Sequence, residues 1–379
     1  MMDKSYRFAI RGKLALLPHR FICYDNTWRF LTVAICLGLP SIAAIAQSST
    51  SRDAFRIAMR QGIAFARAGH YRSAQAAFET ATSLRPANPL ALTALGEVED
   101  QDGHSRQSIN VFRRVIELNP KSADAHINLA IALADDGHLS AALNQDESAI
   151  RIDPRSSLAH FTCGRLLDSL GRVKEAETEF RVTLSISPRY YKALLEWARL
   201  EKSVGNIPEE VKLLKRYVGL SPTANAYWRL GEAFQEEGRY QDAVVAWERA
   251  HSMAPDNTRV LYSLGRALRK TSPPRSRQLL HHLAIIKQDH YRIDRANLMG
   301  NHGNAEIYAG HYRKAVKDFK AALAICGNCS VSWALHENLG LAYCHAGQLS
   351  DGIHELHIAA TLKPNDPSIL KALKLATNN

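Results

Sequence analysis

The chain holds no long apolar run. Its longest, residues 30–46 (FLTVAICLGLPSIAAIA), counts 17 residues and is interrupted by Pro40, short of the roughly 20 that a membrane-spanning helix needs. Runs of lysine and arginine that would track a phosphate backbone are missing as well. The formal net charge of +11 is dispersed along the chain, which argues against a nucleic-acid partner. Neither a glycine-rich phosphate loop nor a G-x-S-x-G elbow occurs. Cys326-Gly-Asn-Cys329 is followed by Ser330 instead of the histidine that haem attachment requires. His354-Glu-Leu-His357 places two imidazoles on one helical face but lacks the carboxylate and third ligand of a zinc protease. That pair and His281-His282 read as ordinary helix-surface residues. No metal, no cofactor and no enzymatic activity are expected.

What is present is a repeat. Gly62, Gly96, Ala130, Gly164, Ala198, Gly231, Gly265, Gly303 and Gly340 are spaced by 34, 34, 34, 34, 33, 34, 38 and 37 residues. Seven residues after each comes a second glycine, from Gly69 to Gly347, except in the seventh unit, where Ser272 takes the place. Prolines close units at Pro86, Pro120, Pro154, Pro188, Pro222, Pro255 and Pro364. In the first unit, residues 55–68 and 71–84 are of helix length and rich in good helix formers. Gly69 suits the left-handed residue just past a helix end, and Pro86 stops the second helix. Gly62 and Ala74 are expected where the two helices cross, letting the backbones approach; Phe65, Phe78 and Ala81 then fill the space between hairpins. One such hairpin cannot bury its apolar face alone, so stability must come from stacking.

Nine units in register resemble the tetratricopeptide repeat, whose pattern runs W-x2-L-G-x2-Y, A-x3-F-x2-A, P. The sixth unit carries it most fully, in Tyr227, Leu230, Gly231, Phe234, Ala243, Trp247, Ala250 and Pro255. The resemblance implies an all-α, right-handed α-solenoid that works by binding. The expected organisation is a leader over 1–46, a linker over 47–53 and six regular repeats over 54–257. A degenerate seventh repeat follows over 258–295, then repeats eight and nine over 296–365 and a capping helix over 366–379. The seventh repeat has Arg277 and His281 where alanine and an aromatic are expected, and HYRIDRA (290–296) is inserted before the eighth, so a distorted junction is anticipated there.

The first 29 residues carry a net charge of +4, the apolar run follows, and Ala44-Ile45-Ala46 precedes Gln47. A basic region, an apolar core and an A-x-A site make a secretory signal peptide cleaved between Ala46 and Gln47. The rival reading is an uncleaved anchor, the only membrane attachment envisaged. Either places the repeats outside the cytoplasm, in the periplasm, cell envelope or extracellular space.

In an exported chain Cys326 and Cys329 are a candidate disulfide that stiffens the connection before Trp333, with free thiols as the alternative. Cys163, just before Gly164, reads as core. The resemblance places the working surface on the concave wall, at positions 2, 5, 6, 9, 12 and 13 of each first helix. In the second and third repeats these positions hold Glu97, Asp100, Asp124 and Asp135. In the fourth to seventh they hold Arg165, Lys192, Arg199, Lys202, Arg229, Arg259, Arg266, Arg269 and Lys270, diluted by Asp168, Glu196, Glu232 and Glu236. Trp228 and Tyr262 add apolar anchors. The alternative is that these are ordinary solvated charges. The expected function is an interaction scaffold or adaptor that binds a protein or peptide with an acidic segment. An accessory of polysaccharide or envelope-polymer export is the alternative. The fifth position never holds lysine or arginine, which argues against the family's carboxylate-clamp mode. Asn128, Asn301 and Asn338 are too scattered for the asparagine ladder of its sugar-transferring members.

Overall fold

The structure is a computed structural model that describes residues 42–377, with side chains from residue 51 onward. Most of the leader lies outside the described residues. The Ala46–Gln47 bond lies near the start of the first helix. Every described element is a helix or a connection between helices, and no described helix is long and apolar enough to cross a membrane.

The chain forms two compact units that meet at Ser221/Pro222. The first contains five helical hairpins: α1 (Ile42–Arg67) with α2 (Tyr71–Leu84), α3 (Pro89–Gln101) with α4 (Ser105–Leu118), α5 (Ala123–Asp135) with α6 (Leu139–Ile152), α7 (Ser157–Ser169) with α8 (Val173–Ile186), and α9 (Tyr191–Ser203) with α10 (Ile207–Leu220). The second begins with α11 (Ala224–Glu236) and α12 (Tyr240–Met253), followed by α13 (Thr258–Ala267) and α14 (Pro273–Tyr308). It ends with α15 (Tyr312–Cys326), α16 (Ser332–His345), α17 (Leu349–Leu362) and α18 (Pro367–Thr377).

Local chemistry sets these bounds. The side chains of Asn88, Ser122, Ser156, Thr223 and Asn257 accept hydrogen bonds from backbone N–H groups at the starts of α3, α5, α7, α11 and α13. Between the helices of a hairpin a glycine takes positive φ, 87° at Gly137 and 74° at Gly171, where a β-carbon would be strained.

The rung glycines do something different from bringing backbones together. A β-carbon on Gly62 would lie 2.5 Å from the Phe78 ring, on Gly96 2.8 Å from Phe112, and on Gly231 2.4 Å from Trp247. Each therefore makes room for an aromatic ring sixteen residues later on the second helix. Where the rung is alanine the later residue is smaller, Asp146 after Ala130 and Leu214 after Ala198. Gly340 and Gly265 face leucines instead, Leu356 and Leu280 at 2.8 Å, and at Gly340 the backbones also approach, its β-carbon falling 2.9 Å from the carbonyl of Gly352. Phe78 and Ala81 are buried as expected, but Phe65 is 40% exposed and fills no inter-hairpin space.

The junction between the seventh and eighth repeats differs most from expectation. Instead of two helices separated by a distorted turn there is one 36-residue helix, α14. The boundary drawn at 295/296 falls inside it. The cause lies in what residues 275–299 lack: neither proline nor glycine interrupts them, and no Ser/Thr/Asn–Ala pair offers a new cap.

Candidate functional site

In the first unit, folding itself engages most of the charges expected to line a groove. Arg199 on α9 ion-pairs with Asp168 of α7 and, at 3.0 Å, with Glu196. Lys202 approaches Glu210 of α10 at 3.9 Å. Lys192 is buried, and both desolvation and the nearby Arg165 push its ammonium pKa down. Arg165 sits over the Phe161 ring, 5.8 Å from its centre. At the acidic end Asp100 is fully buried, Glu97 and Asp135 are half-buried, and Asp124 is exposed; the neighbouring Glu99, outside the expected groove positions, is 6% exposed.

Burial, with a smaller contribution from Glu79, raises the Glu99 carboxyl to about 7. Asp146, fully buried and accepting a 3.0 Å bond from Thr162, is shifted the same way by burial. A carboxyl whose folded pKa is raised binds more protons folded than unfolded between the two values. Stability is therefore highest below the unfolded pKa and falls as pH rises through the folded one. Acidifying from about pH 7.5 to 5 is expected to stabilise the protein, and Glu99→Gln to remove about 1–2 kcal/mol of that gain. Urea midpoints across the pH range measure it.

The second unit is arranged differently. Trp228 on α11 donates its indole N–H to Ser263 Oγ at 3.2 Å, and Ser263 in turn donates to Glu232 at 2.9 Å. The Trp228 carbonyl accepts from the Trp247 indole at 3.2 Å. The Ser263 bond orients the indole while the Trp247 bond holds the backbone beneath it, and the Arg259 guanidinium of α13 lies 5.5 Å from the ring centre. Arg266 lies 5.4 Å over the Tyr262 ring and donates to its hydroxyl at 3.0 Å. Arg259, Arg266, Arg269 and Lys270 form no ion pair among the described residues, in contrast to Arg199 and Lys202. Arg229, the remaining expected groove cation, is half-buried with its Nε enclosed.

Beside the Trp228–Arg259 pair opens a pocket of about 390 Å³ lined by Asn225, Trp228, Asp256, Asn257, Thr258, Arg259 and His290. It thus unites the starts of α11 and α13, the turn that caps α13, and the middle of α14. A guanidinium over an indole keeps N–H groups available to a carboxylate, and the Arg259 side chain is exposed and so accessible to one. Asn225 occupies position 2 of its helix, one of the groove positions, and could have been found by including uncharged residues. His290 could not, because it arrives only through the unbroken α14.

The other candidate chemistry does not converge. Cys326 and Cys329 lie with their sulfurs at bonding distance and Cα atoms 5.2 Å apart at the end of α15. Arg292 of α14 donates to the Ile325 carbonyl at 3.2 Å and the Cys326 carbonyl at 2.6 Å. His336 is engaged by Glu355 at 2.6 Å, and His282 by Asp256 at 3.1 Å. Among the described residues no group of three or more His, Cys, Asp or Glu could hold a metal ion. Burial pushes the Cys163 thiol well up, which makes it inert. A regular feature that the sequence reading missed is a histidine at the fourth position of a first helix that reaches the second helix nineteen residues on. His126 meets Gln145 at 2.8 Å, and His160 meets Glu179 at 2.6 Å.

Models of the tetratricopeptide repeat match residues 59–103, 99–157, 224–257 and 301–367. No curated protein sequence matches the chain. Among solved structures, that of PilW, a widely conserved type IV pilus biogenesis factor, is 19% identical. The match covers 55% of this chain and 98% of that one, with a TM-score of 0.50. Pseudomonas aeruginosa PilF is 14% identical over 56% of this chain and 96% of its own, with a TM-score of 0.47. YrrB, a repeat protein with an unusual peptide-binding site, is 14% identical over 49% of this chain and 96% of its own, with a TM-score of 0.40. These likenesses concern the fold.

Proposed function

The chain belongs to the tetratricopeptide-repeat family, whose members bind protein or peptide partners, and from this we infer a non-catalytic adaptor that acts outside the cytoplasm. Its partner presents an extended segment with a carboxylate that seats against Arg259 and Trp228. The observation that carries this reading is the Trp228–Arg259 pair: an oriented indole, a cation without a carboxylate, and an open pocket beside them. The basic leader, apolar core and Ala44-Ile45-Ala46 support export. The polymer-export alternative fits less well. Sugar rings stack on bare aromatic faces, whereas arginines lie over both Trp228 and Tyr262.

The test is fluorescence anisotropy with matched acidic, neutral and basic extended peptides as probes. The acidic probe should bind best and weaken with salt. Arg259→Glu should weaken it about tenfold, the order expected when a charge-assisted contact is lost and replaced by a repelling charge. Arg199→Glu, at a cation already paired, should leave it unchanged. Equal binding of the three probes, or equal loss in both variants, would refute the site.

A further inference from the structure

The continuous helix α14 leaves one inter-repeat interface unmade. Elsewhere the third residue of each first helix is buried against the preceding hairpin: Ala91, Ala159, Ala193 and Val260 are 0% exposed and Leu335 is 5%. The corresponding residue of the eighth repeat, Leu298, is 68% exposed. That value resembles Ile57, at 54%, in the first repeat, ahead of which no hairpin lies among the described residues. Ala305 and Tyr308 extend the bare stripe, with Tyr308 at 91%.

The trailing face of the seventh repeat is bare in the same sense. Its fifth-position residue, Tyr262, is 48% exposed, whereas Ile127 and Phe161 at that position are fully buried. The repeat register says what each bare residue should meet. Fifth- and ninth-position residues contact the sixth position of the next repeat, as Trp228 and Glu232 do with Ser263. A twelfth-position residue contacts the ninth, as Asp168 does with Arg199. Applied to the missing junction, Tyr262 and Arg266 would meet Asn301, and Arg269 would meet Asn304. Arginine donors would then face amide carbonyl acceptors, with Leu298 supplying the apolar contact. Both halves of a complementary interface are therefore present in one chain, held apart by one helix.

We propose that a second copy of the chain closes this interface by reciprocal exchange. The eighth repeat of each copy stacks on the seventh of the other, and the two α14 helices serve as the crossing arms. Closure within one chain would require melting α14 in its exposed middle, where no helix-breaking residue lies between Pro274 and Gly300. The interface is continuous in kind with every other inter-repeat contact of the fold. It also gives Arg266 and Arg269 an occupant distinct from the peptide assigned to Arg259.

Light scattering on the eluting mature protein, across a wide range of concentration, should give the mass of two chains. Leu298→Glu should reduce that mass to one chain without changing helix content by circular dichroism. A chain carrying both Arg269→Cys and Asn304→Cys, treated with a short bismaleimide and compared with its parent, should yield a species of twice the chain mass. A single-chain mass at all concentrations would overturn the proposal. So would a dimer indifferent to Leu298→Glu, or a 269–304 bridge that is absent or forms within one chain.

Discussion

Trp247→Ala is expected to be the most damaging single change in the second unit, lowering unfolding free energy by about 3–5 kcal/mol. The indole is 1% exposed and occupies the space that Gly231 leaves open, where a β-carbon would fall 2.4 Å from its Nε1. Its N–H donates to the Trp228 carbonyl. Truncation thus leaves a large cavity and also removes the hydrogen bond that helps seat Trp228. Two readouts separate these effects. Urea denaturation reports the stability loss, and at low temperature, where the variant remains folded, acidic-peptide affinity should also fall. Wild-type affinity there would mean that Trp228 is held without Trp247.

The second large effect concerns the pairing between a rung residue and the residue sixteen positions later. Gly164→Ala alone should destabilise by about 1–3 kcal/mol, since the added β-carbon meets Phe180 at 2.9 Å in a tightly packed hairpin. Phe180→Leu alone should cost about 1–3 kcal/mol through the volume it vacates. The double variant reproduces the combination found naturally at Ala198 and Leu214, so its loss should be smaller than the sum of the two, by about 1 kcal/mol or more. Additive losses in thermal or urea unfolding would show that the rung and the ring do not share one space.

These pairs show how much of the fold could be read from the chain. Helices, turns and unit length followed from local chemistry, because glycine at positive φ, proline and cap residues act within a few positions of themselves. Backbone approach, expected at the rung glycines, holds at Gly340, whereas Gly62, Gly96, Gly164, Gly231 and Gly303 make room for an aromatic ring, and the pairing of Gly62 with Phe78 and of Ala198 with Leu214 was in the sequence to be seen. The fusion of α14 was equally legible in retrospect, as an interval without proline or glycine. Charge was not. Whether an arginine is neutralised depends on contacts between repeats, such as Arg199 with Asp168 thirty-one residues away. Sequence position alone ranked Arg199 with Arg259, and only the packed structure separates them. Lys192 illustrates the same limit: its position suggests a solvated cation, while packing buries it.

The unit-level contrast that results is the core of the functional account. Among the cations expected to line a groove, Arg199 and Lys202 of the first unit lie in ion pairs and Lys192 is buried, whereas Arg259, Arg266, Arg269 and Lys270 of the second form no ion pair among the described residues. Hydrogen exchange of the mature protein with and without a saturating acidic peptide addresses this most directly. The account predicts added protection around 224–230 and 256–262, with the first unit unchanged. Protection confined to helices α7 and α9 of the first unit, or no protection in the second, would contradict it.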